Sequence, residues 1–195
     1  MRESQPRCKL NCAVDPPYRE TGAGVAFSWQ PRSLQGQAAS CVSYNVFFYA
    51  DLEFHNGGTL PGVQGSDLSQ LSKDGFAAHL AWHEDGHPGV QLSVTAHGET
   101  QITSMDSKGF TFPRGQWVRI DQEIVLNSPG QDNGILRVWV DGALAIERAD
   151  IGYRARPEVA VSGLAANVSY GTADAIVWAP SETKIWVSSL EISWQ

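Results

Sequence analysis

The sequence predicts an all-β protein, an antiparallel sandwich of two sheets of the jelly-roll type with a concave groove. Several segments alternate apolar and polar residues with a period of two, which is typical of half-buried strands. Glycine supplies 19 and proline 10 of the 195 residues, and their scatter favours many short elements. Residues 1–22 are expected to form an N-terminal arm with cysteines, and residues 23–195 a single domain.

The strands are assigned from the alternation. In segment 43–54, Tyr44, Val46 and Phe48 point to one face and the polar residues between them to the other. The same pattern recurs in segments 76–83, 90–97, 118–126 and 136–140, and later strands are predicted at 159–161, 168–170 and 185–194. The pair 118–126 and 136–140 is expected to form a hairpin, and the second strand ends in the turn residues Asp141 and Gly142.

Segment 54–65 breaks this pattern. It holds four glycines and one proline within twelve residues, a density that argues against a strand interior. We therefore predict a tight loop after the first long strand. Glycines in such a loop let a polymer approach the backbone.

The charge balance argues against a nucleic-acid surface. Lys and Arg number 14 against 21 Asp and Glu, a formal net charge of -7, so an acidic ligand needs a local set of donors. No apolar run approaches the ~20 residues that a membrane span requires. We expect a partner that is neither nucleic acid nor membrane.

Three cysteines, Cys8, Cys12 and Cys41, lie near the N-terminus. One disulfide that leaves a single free thiol is one reading, and it is typical of proteins in oxidising compartments. Three reduced thiols are the other. The spacing does not match a zinc site.

The alternation also gathers polar residues on one face of two neighbouring strands. If Phe76, Leu80 and Trp82 face the core, the residues between them face the opposite side. That opposite face then holds His79, His83, Gln91, Ser93, Thr95 and His97. Such a face is typical of a polar binding groove, and a solvated sheet exterior is the alternative.

Several motifs occur in a characteristic order along the chain. They are Gly57-Gly58-Thr59-Leu60-Pro61-Gly62, segment 75–82, Gly115-Gln116-Trp117, segment 126–130 and segment 138–142. This ordered set resembles polysaccharide lyase families 14 and 20, the alginate and glucuronan lyases with a jelly-roll fold. The resemblance implies cleavage of a 4-linked polyuronate by β-elimination, with glucuronan favoured over alginate.

The sequence departs from the family 14 pattern at five positions. That pattern has Lys where this chain has Thr59, and Ser and Arg where it has Ala77 and His79. It also has a Tyr-x-Tyr pair where this chain has Gln91 and Ser93. Family 20, which uses His, Gln and Tyr in its cleft, is therefore the closer comparison.

The resemblance to family 20 implies His55, Gln91 and Tyr170 as catalytic residues. Gln91 would neutralise the uronate carboxylate as negative charge develops on it. Tyr170 would act as base and acid, with His55 as its activator or as the alternative base. Substrate binding is assigned to His79, Ser93, Thr59, His83 and His97.

A non-catalytic, lectin-like binding module is the rival reading, because the five replacements also fit a loss of activity. A glycoside hydrolase is disfavoured, since the polar face predicted here offers no pair of carboxylates. The chemistry requires no cofactor, although structural calcium on loop carboxylates such as Asp132 and Asp174 is compatible with the fold. We expect a monomeric, secreted protein whose partner is an acidic polysaccharide.

Overall fold

The computed structural model describes residues 19–21, 24–55, 57–107, 109–171 and 184–194. These residues form strands and no α-helix, so none of them belongs to a helix that could span a membrane. The strands are β1 (Arg19–Thr21), β2 (Gly24–Trp29), β3 (Ala39–Phe48), β4 (Gly58–Asp67), β5 (Gly75–Trp82), β6 (Pro88–Ala96), β7 (Glu99–Asp106), β8 (Trp117–Val125), β9 (Gly134–Val140), β10 (Ala143–Ile151), β11 (Val159–Tyr170), β12 (Ile185–Val187) and β13 (Glu191–Trp194).

The strands form two antiparallel sheets. The seven-stranded sheet has the order β1-β2-β11-β4-β5-β6-β7, and the six-stranded sheet has the order β10-β9-β8-β3-β12, with β13 also paired to β3. One cluster of buried apolar side chains contains residues of both sheets, among them Val46 of β3 and Leu80 of β5. The core therefore lies between the sheets, and the predicted all-β sandwich is confirmed.

The predicted hairpin of segments 118–126 and 136–140 is confirmed as β8 and β9. Asp141 and Gly142, both with positive φ, form the two-residue turn to β10, as is typical of hairpins. Segments 159–161 and 168–170 are parts of one strand, β11. Strands β2, β7 and β10 were not among the predicted elements.

The prediction of a loop over 54–65 is wrong for most of that segment, because Gly58 begins β4, a strand inside the sheet. The glycines are needed there for close packing. A Cβ on Gly58 would lie 2.0 Å from the Trp82 ring, and a Cβ on Gly62 would lie 1.9 Å from the Ala78 carbonyl oxygen. These glycines therefore let neighbouring side chains and backbone approach β4 closely.

Pro61 lies in β4 where the pairing with β5 shifts register between Leu60 and Gly62. Proline has no N–H for the ladder, which is why it is tolerated at such an irregularity. Its carbonyl accepts a buried hydrogen bond of 3.0 Å from the Tyr44 hydroxyl of the opposite sheet. The irregular part of β4 is thus anchored across the core.

Gln122 of β8 makes a second polar bridge between the sheets. Its side chain is fully buried, its Oε1 accepts a hydrogen bond from the Val63 amide at 3.2 Å, and its Nε2 donates to the Ala78 carbonyl at 2.9 Å. A buried amide is stable only when such partners are present. Gln122 therefore ties β8 to β4 and β5 behind the irregularity.

The loop between β4 and β5 is closed by an ionic cluster. Asp67 accepts hydrogen bonds from the Ser69 amide at 2.8 Å, from the Ser72 hydroxyl at 2.8 Å and from Arg156 Nη2 at 2.8 Å. Arg156 also donates to Asp74 at 3.0 Å. A hydrogen bond from the Ser69 hydroxyl first, and then those from Arg156 and Ser72, hold the pKa of Asp67 well below its ordinary value.

Cys41 of β3 is disulfide-bonded, which agrees with the reading of one disulfide and not with that of three reduced thiols. The other two cysteines, Cys8 and Cys12, lie outside the described residues. The predicted loop carboxylate Asp174 also lies outside them.

Candidate active site

The outer face of the seven-stranded sheet, away from the core, carries the polar residues that the sequence assigns to a groove. We call the outward-facing side chains of β4, β5, β6 and β7 the polar face. Gly62, His79, Gln91 and Ser104 form one row across it, because each is the register partner of the next. Directly opposed side chains in antiparallel strands have Cβ atoms about 5 Å apart, so His79 and Gln91 are neighbours.

The His79 side chain is half-buried in this row. Burial lowers the pKa of its imidazole below the ordinary 6.5, and only a backbone hydrogen bond at Leu60 acts in the opposite direction. Its Nδ1 is buried and has no hydrogen-bond partner among the described residues. His79 is therefore neutral at neutral pH and acts as a polar, uncharged group beside Gln91.

His83 also lies on the polar face, as predicted. Its Nε2 lies 2.6 Å from Asp106 Oδ1, and the two side chains are 38% and 54% exposed. The ring reaches Asp106 by passing over Gly89 of β6, where a Cβ would lie 2.4 Å from Nε2. The absence of a side chain at position 89 thus makes room for the His83 and Asp106 pair.

Ser93 is on the polar face two residues after Gln91, and its hydroxyl donates weakly to the Ala77 carbonyl at 3.4 Å. Thr59 is on the same face by register, but it is buried, and its hydroxyl is 2.8 Å from that of Ser169. Its predicted contact with substrate is therefore not supported by this placement. His97 was expected on the polar face; it lies instead in the turn after β6 with a φ of 54°, so that prediction is wrong.

The structure does not bring the three predicted catalytic residues together. Tyr170 follows the outward-facing Ser169 and so points into the core, where it is buried and donates a 2.8 Å hydrogen bond to the Glu53 carbonyl. Tyr170 and Gln91 therefore lie on opposite faces of one sheet, and the prediction that Tyr170 reaches the groove is wrong. His55 lies in the connection before β4, exposed, with Nε2 3.1 Å from the Glu53 carboxylate.

The outward-facing described positions of β4 to β7 include no Lys, Arg or Tyr. Several arginines are paired elsewhere: Arg119 with Asp121 at 2.9 Å, and Arg137 with Glu123 at 2.8 Å. Both of these pairs belong to the six-stranded sheet. Amide, imidazole and hydroxyl groups are thus the donors that this face offers.

No group of three or more His, Cys, Asp or Glu side chains in the described parts of the chain is arranged to hold a metal ion. Asp132, one of the two carboxylates considered for calcium, lies beside Gly152, where a Cβ would be 2.3 Å from its Oδ1. Structural calcium stays a prediction.

Sequence reasoning missed Asp106 and Gly89, which complete the arrangement around His83. Strand β7 was missed because its residues are mostly exposed and carry no clear apolar face. The signal was nevertheless present: His97 and Gly98 make a two-residue turn, which places β7 antiparallel to β6 and pairs Gly89 with Asp106.

The family model for polysaccharide lyase 14 matches residues 13–190 of this sequence. The chain belongs to the polysaccharide lyase 14 family. Membership places it among the lyases, as the motif order predicts. No curated protein sequence matches the chain significantly.

Solved structures support the same fold. The PL-14 alginate lyase from Aplysia kurodai superposes with a TM-score of 0.74 at 18% identity, over 91% of this chain and 81% of that one. The alginate lyase vAL-1 from Chlorella virus gives 0.74 at 19% identity, over 88% and 77%. The endo-β-1,4-glucuronan lyase from the fungus Trichoderma reesei gives 0.62 at 10% identity, over 90% and 78%. The predicted jelly-roll fold is confirmed.

The five positions that depart from the family 14 pattern occupy one region of the polar face. Thr59 is on β4, Ala77 and His79 are on β5, and Gln91 and Ser93 are on β6, and these three strands are neighbours. Alternation directs all five to the outer side of the sheet. The departures from the family 14 pattern are therefore clustered in one region of the polar face.

Proposed function

We propose that the protein is a lyase that cleaves a 4-linked polyuronate by β-elimination, with glucuronan as its preferred substrate. The observation that supports this most is that Gln91 and His79, whose pKa burial lowers, are neighbours on the polar face, where the departures from the family 14 pattern cluster. The products are one chain with a new reducing end and one with a C4=C5 double bond in its terminal uronate.

The reaction places specific demands on this face. Removal of the C5 proton builds negative charge on the uronate carboxyl group, and donors aimed at that charge stabilise it. Gln91 has an amide N–H group for this role, and Ser104 and Ser93 offer hydroxyl donors next to it. The row of His79, Gln91 and Ser104 itself carries no carboxylate that would repel the uronate.

The preference for glucuronan is supported by residue type. Glucuronan lyases of family 20 resemble this chain in using His and Gln, whereas the Lys, Arg and Tyr pattern of family 14 is absent from the corresponding positions, which hold Thr59, His79, Gln91 and Ser93. A secreted protein is part of the proposal, and the disulfide on Cys41 supports it because such bonds persist in oxidising compartments.

His55 stays a candidate for proton transfer, since it is exposed in the connection before β4. Tyr170 is not part of the proposal, because its hydroxyl is held inside the core by the Glu53 carbonyl. Gln91 remains the proposed neutraliser of the carboxylate.

A lectin-like module is the second candidate. It is favoured by the same five positions, because none of them retains the residue type of the family 14 pattern. Such a module would bind a polyuronate and leave it intact.

The two candidates are separated by incubating the protein with glucuronan, mannuronate-rich alginate and guluronate-rich alginate. A lyase creates ultraviolet absorbance from the double bond conjugated with the carboxylate, and we expect the fastest rise with glucuronan. Gln91→Ala should lose most of that rate while retaining its thermal unfolding midpoint. Binding of all three polymers by calorimetry with no absorbance change would contradict the proposal and favour the lectin.

A further inference from the structure

The polar face holds one arrangement that the proposed function has not yet used, the pair of His83 and Asp106. One carboxylate oxygen lies 2.6 Å from the buried Nε2, within ion-pair distance, although the contact does not have hydrogen-bond geometry. When one ring nitrogen of a histidine is held by a carboxylate, the other becomes the nitrogen that meets a ligand. The Nε2 and Cδ2 edge of the ring lies over Gly89, so Nδ1 belongs to the opposite edge of a side chain that is 38% exposed.

Gly89 shows that the ring position is built into the strand. Its φ is not among the positive values that other glycines of this chain adopt, so its backbone does not require glycine. Its requirement is spatial, because a Cβ would lie 2.4 Å from His83 Nε2 and 3.2 Å from the Met105 carbonyl oxygen. The bare backbone at position 89 therefore lets the imidazole lie over β6 and reach β7.

The same geometry places the imidazole close to the proposed carboxylate site. Gly89 and Gln91 are two residues apart on β6 and face the same side, which separates them by about 7 Å. A pyranose ring spans a comparable distance. Because the carboxyl carbon is bonded to C5, and C5 to C4, a uronate whose carboxyl group contacts Gln91 has C4 and C5 next to position 91, within about 7 Å of position 89 over which His83 lies.

We propose that His83 is the catalytic residue that moves the proton in this reaction, and that Asp106 positions it. The proposal rests on the proposed lyase function and replaces Tyr170 in that role. His83 resembles general bases in other enzymes, in which a carboxylate fixes the imidazole and stabilises the imidazolium that forms. The other charged or titratable groups near it are Glu84, Asp85 and His87 of the following turn, where His87 Nε2 pairs with Asp85 at 3.2 Å.

The same residue, His83, both removes and returns the proton. His83 Nδ1 takes the proton from C5, and the C–H electron pair moves toward the carboxyl group, which Gln91 stabilises. The pair then forms the C4=C5 bond as the C4–O4 bond breaks, and O4 takes the proton back from His83. In a glucuronan the C5 hydrogen and O4 lie on the same side of the ring, so one imidazole reaches both.

The other histidines fit this role less well. His79 has no carboxylate within ion-pair distance among the described residues, and burial lowers the pKa of its imidazole. His55 has a carboxylate partner, Glu53, but it lies on the connection before β4 rather than on the polar face. His83 alone among these three combines a carboxylate partner, exposure and a place on the polar face.

The test is chemical rescue of His83→Ala with free imidazole, measured on glucuronan. We expect kcat to fall by about 10²- to 10⁴-fold, the usual contribution of a general base or acid, and imidazole in the buffer to restore a measurable part of it. Imidazole should change neither the wild-type rate nor that of Gln91→Ala. Asp106→Asn should lower kcat more than it changes KM, because it removes orientation and not substrate contacts.

Gly89→Ala keeps the test decisive if His83→Ala folds poorly. The added methyl group should displace the ring and lower kcat about 10²-fold, since a shift of roughly 1 Å in a reacting group has that effect. A His83→Ala rate within threefold of wild type, or a low rate that imidazole leaves unchanged, would overturn the assignment. Wild-type protein that forms no unsaturated product from any polyuronate would instead overturn the lyase function itself, and this assignment with it.

Discussion

Replacing Gln122 with Leu tests whether the two hydrogen bonds that Gln122 makes across the core stabilise the strands of the polar face. The substitution keeps an apolar side chain of similar size in the core but leaves the Val63 amide and the Ala78 carbonyl without partners. Each unsatisfied buried group costs about 1 to 3 kcal/mol, so the free energy of unfolding should fall by about 2 to 6 kcal/mol. That is a large part of the 5 to 15 kcal/mol that is typical of a domain.

Urea unfolding at equilibrium, followed by tryptophan fluorescence, measures this loss. Gln101→Leu is the matched control, because Gln101 is exposed on β7 and should change stability by no more than about 0.5 kcal/mol. Activity on glucuronan should also fall in Gln122→Leu, since Ala78 and Val63 flank the positions of His79 and Gly62. A loss as small as that of the control would refute the idea that Gln122 bridges the sheets.

Three further predictions follow from individual contacts. Tyr170→Phe removes only the hydrogen bond to the Glu53 carbonyl. The free energy of unfolding in urea should therefore fall by about 0.5 to 1.5 kcal/mol, while the rate on glucuronan stays near that of the wild type. A large loss of rate at unchanged stability would return Tyr170 to the mechanism. His79→Gln should flatten the pH dependence of the free energy of unfolding. Burial lowers the pKa of His79 in the folded state, so the unfolded chain binds the proton first and the wild-type protein loses stability as the pH drops below 6.5. Urea midpoints measured on either side of that pH test this, and an equal slope in both proteins would contradict it. Arg156→Met should raise the pH at which the protein unfolds in acid. Arg156 helps to lower the pKa of Asp67, and this lowered pKa gives stability that is present above pH 3.8 and is lost as the pH falls toward the folded-state pKa. An unchanged acid midpoint by circular dichroism would contradict this.

The two-sheet fold could be predicted because alternation with a period of two reports directly which side of a strand is buried. Segment 118–142 shows this best, since both strands and the turn at Asp141 and Gly142 were recovered. The central strand β4 could not be found this way. Its glycines are required because the Trp82 ring and the Ala78 carbonyl of the neighbouring strand approach β4 closely. These contacts are remote in sequence, so the local composition resembles that of a loop.

The polar face was predictable for the same reason. His79, His83, Gln91 and Ser93 lie on it because the parity of β5 and β6 places them there. Tyr170 was misplaced because its role was carried over from a resemblance, while the parity of β11 directs its side chain to the core. The pairing of His83 with Asp106 needed the register of β7, which no alternation of that strand reveals.

Proton NMR of glucuronan incubated with wild-type protein tests the central claim most directly. If the protein is a lyase acting through this face, the vinyl H4 signal of a terminal unsaturated uronate will grow with time, and Gln91→Ala will not produce it. A polymer that binds the protein but shows no vinyl signal under any condition of pH would contradict the claim and identify a sugar-binding module instead.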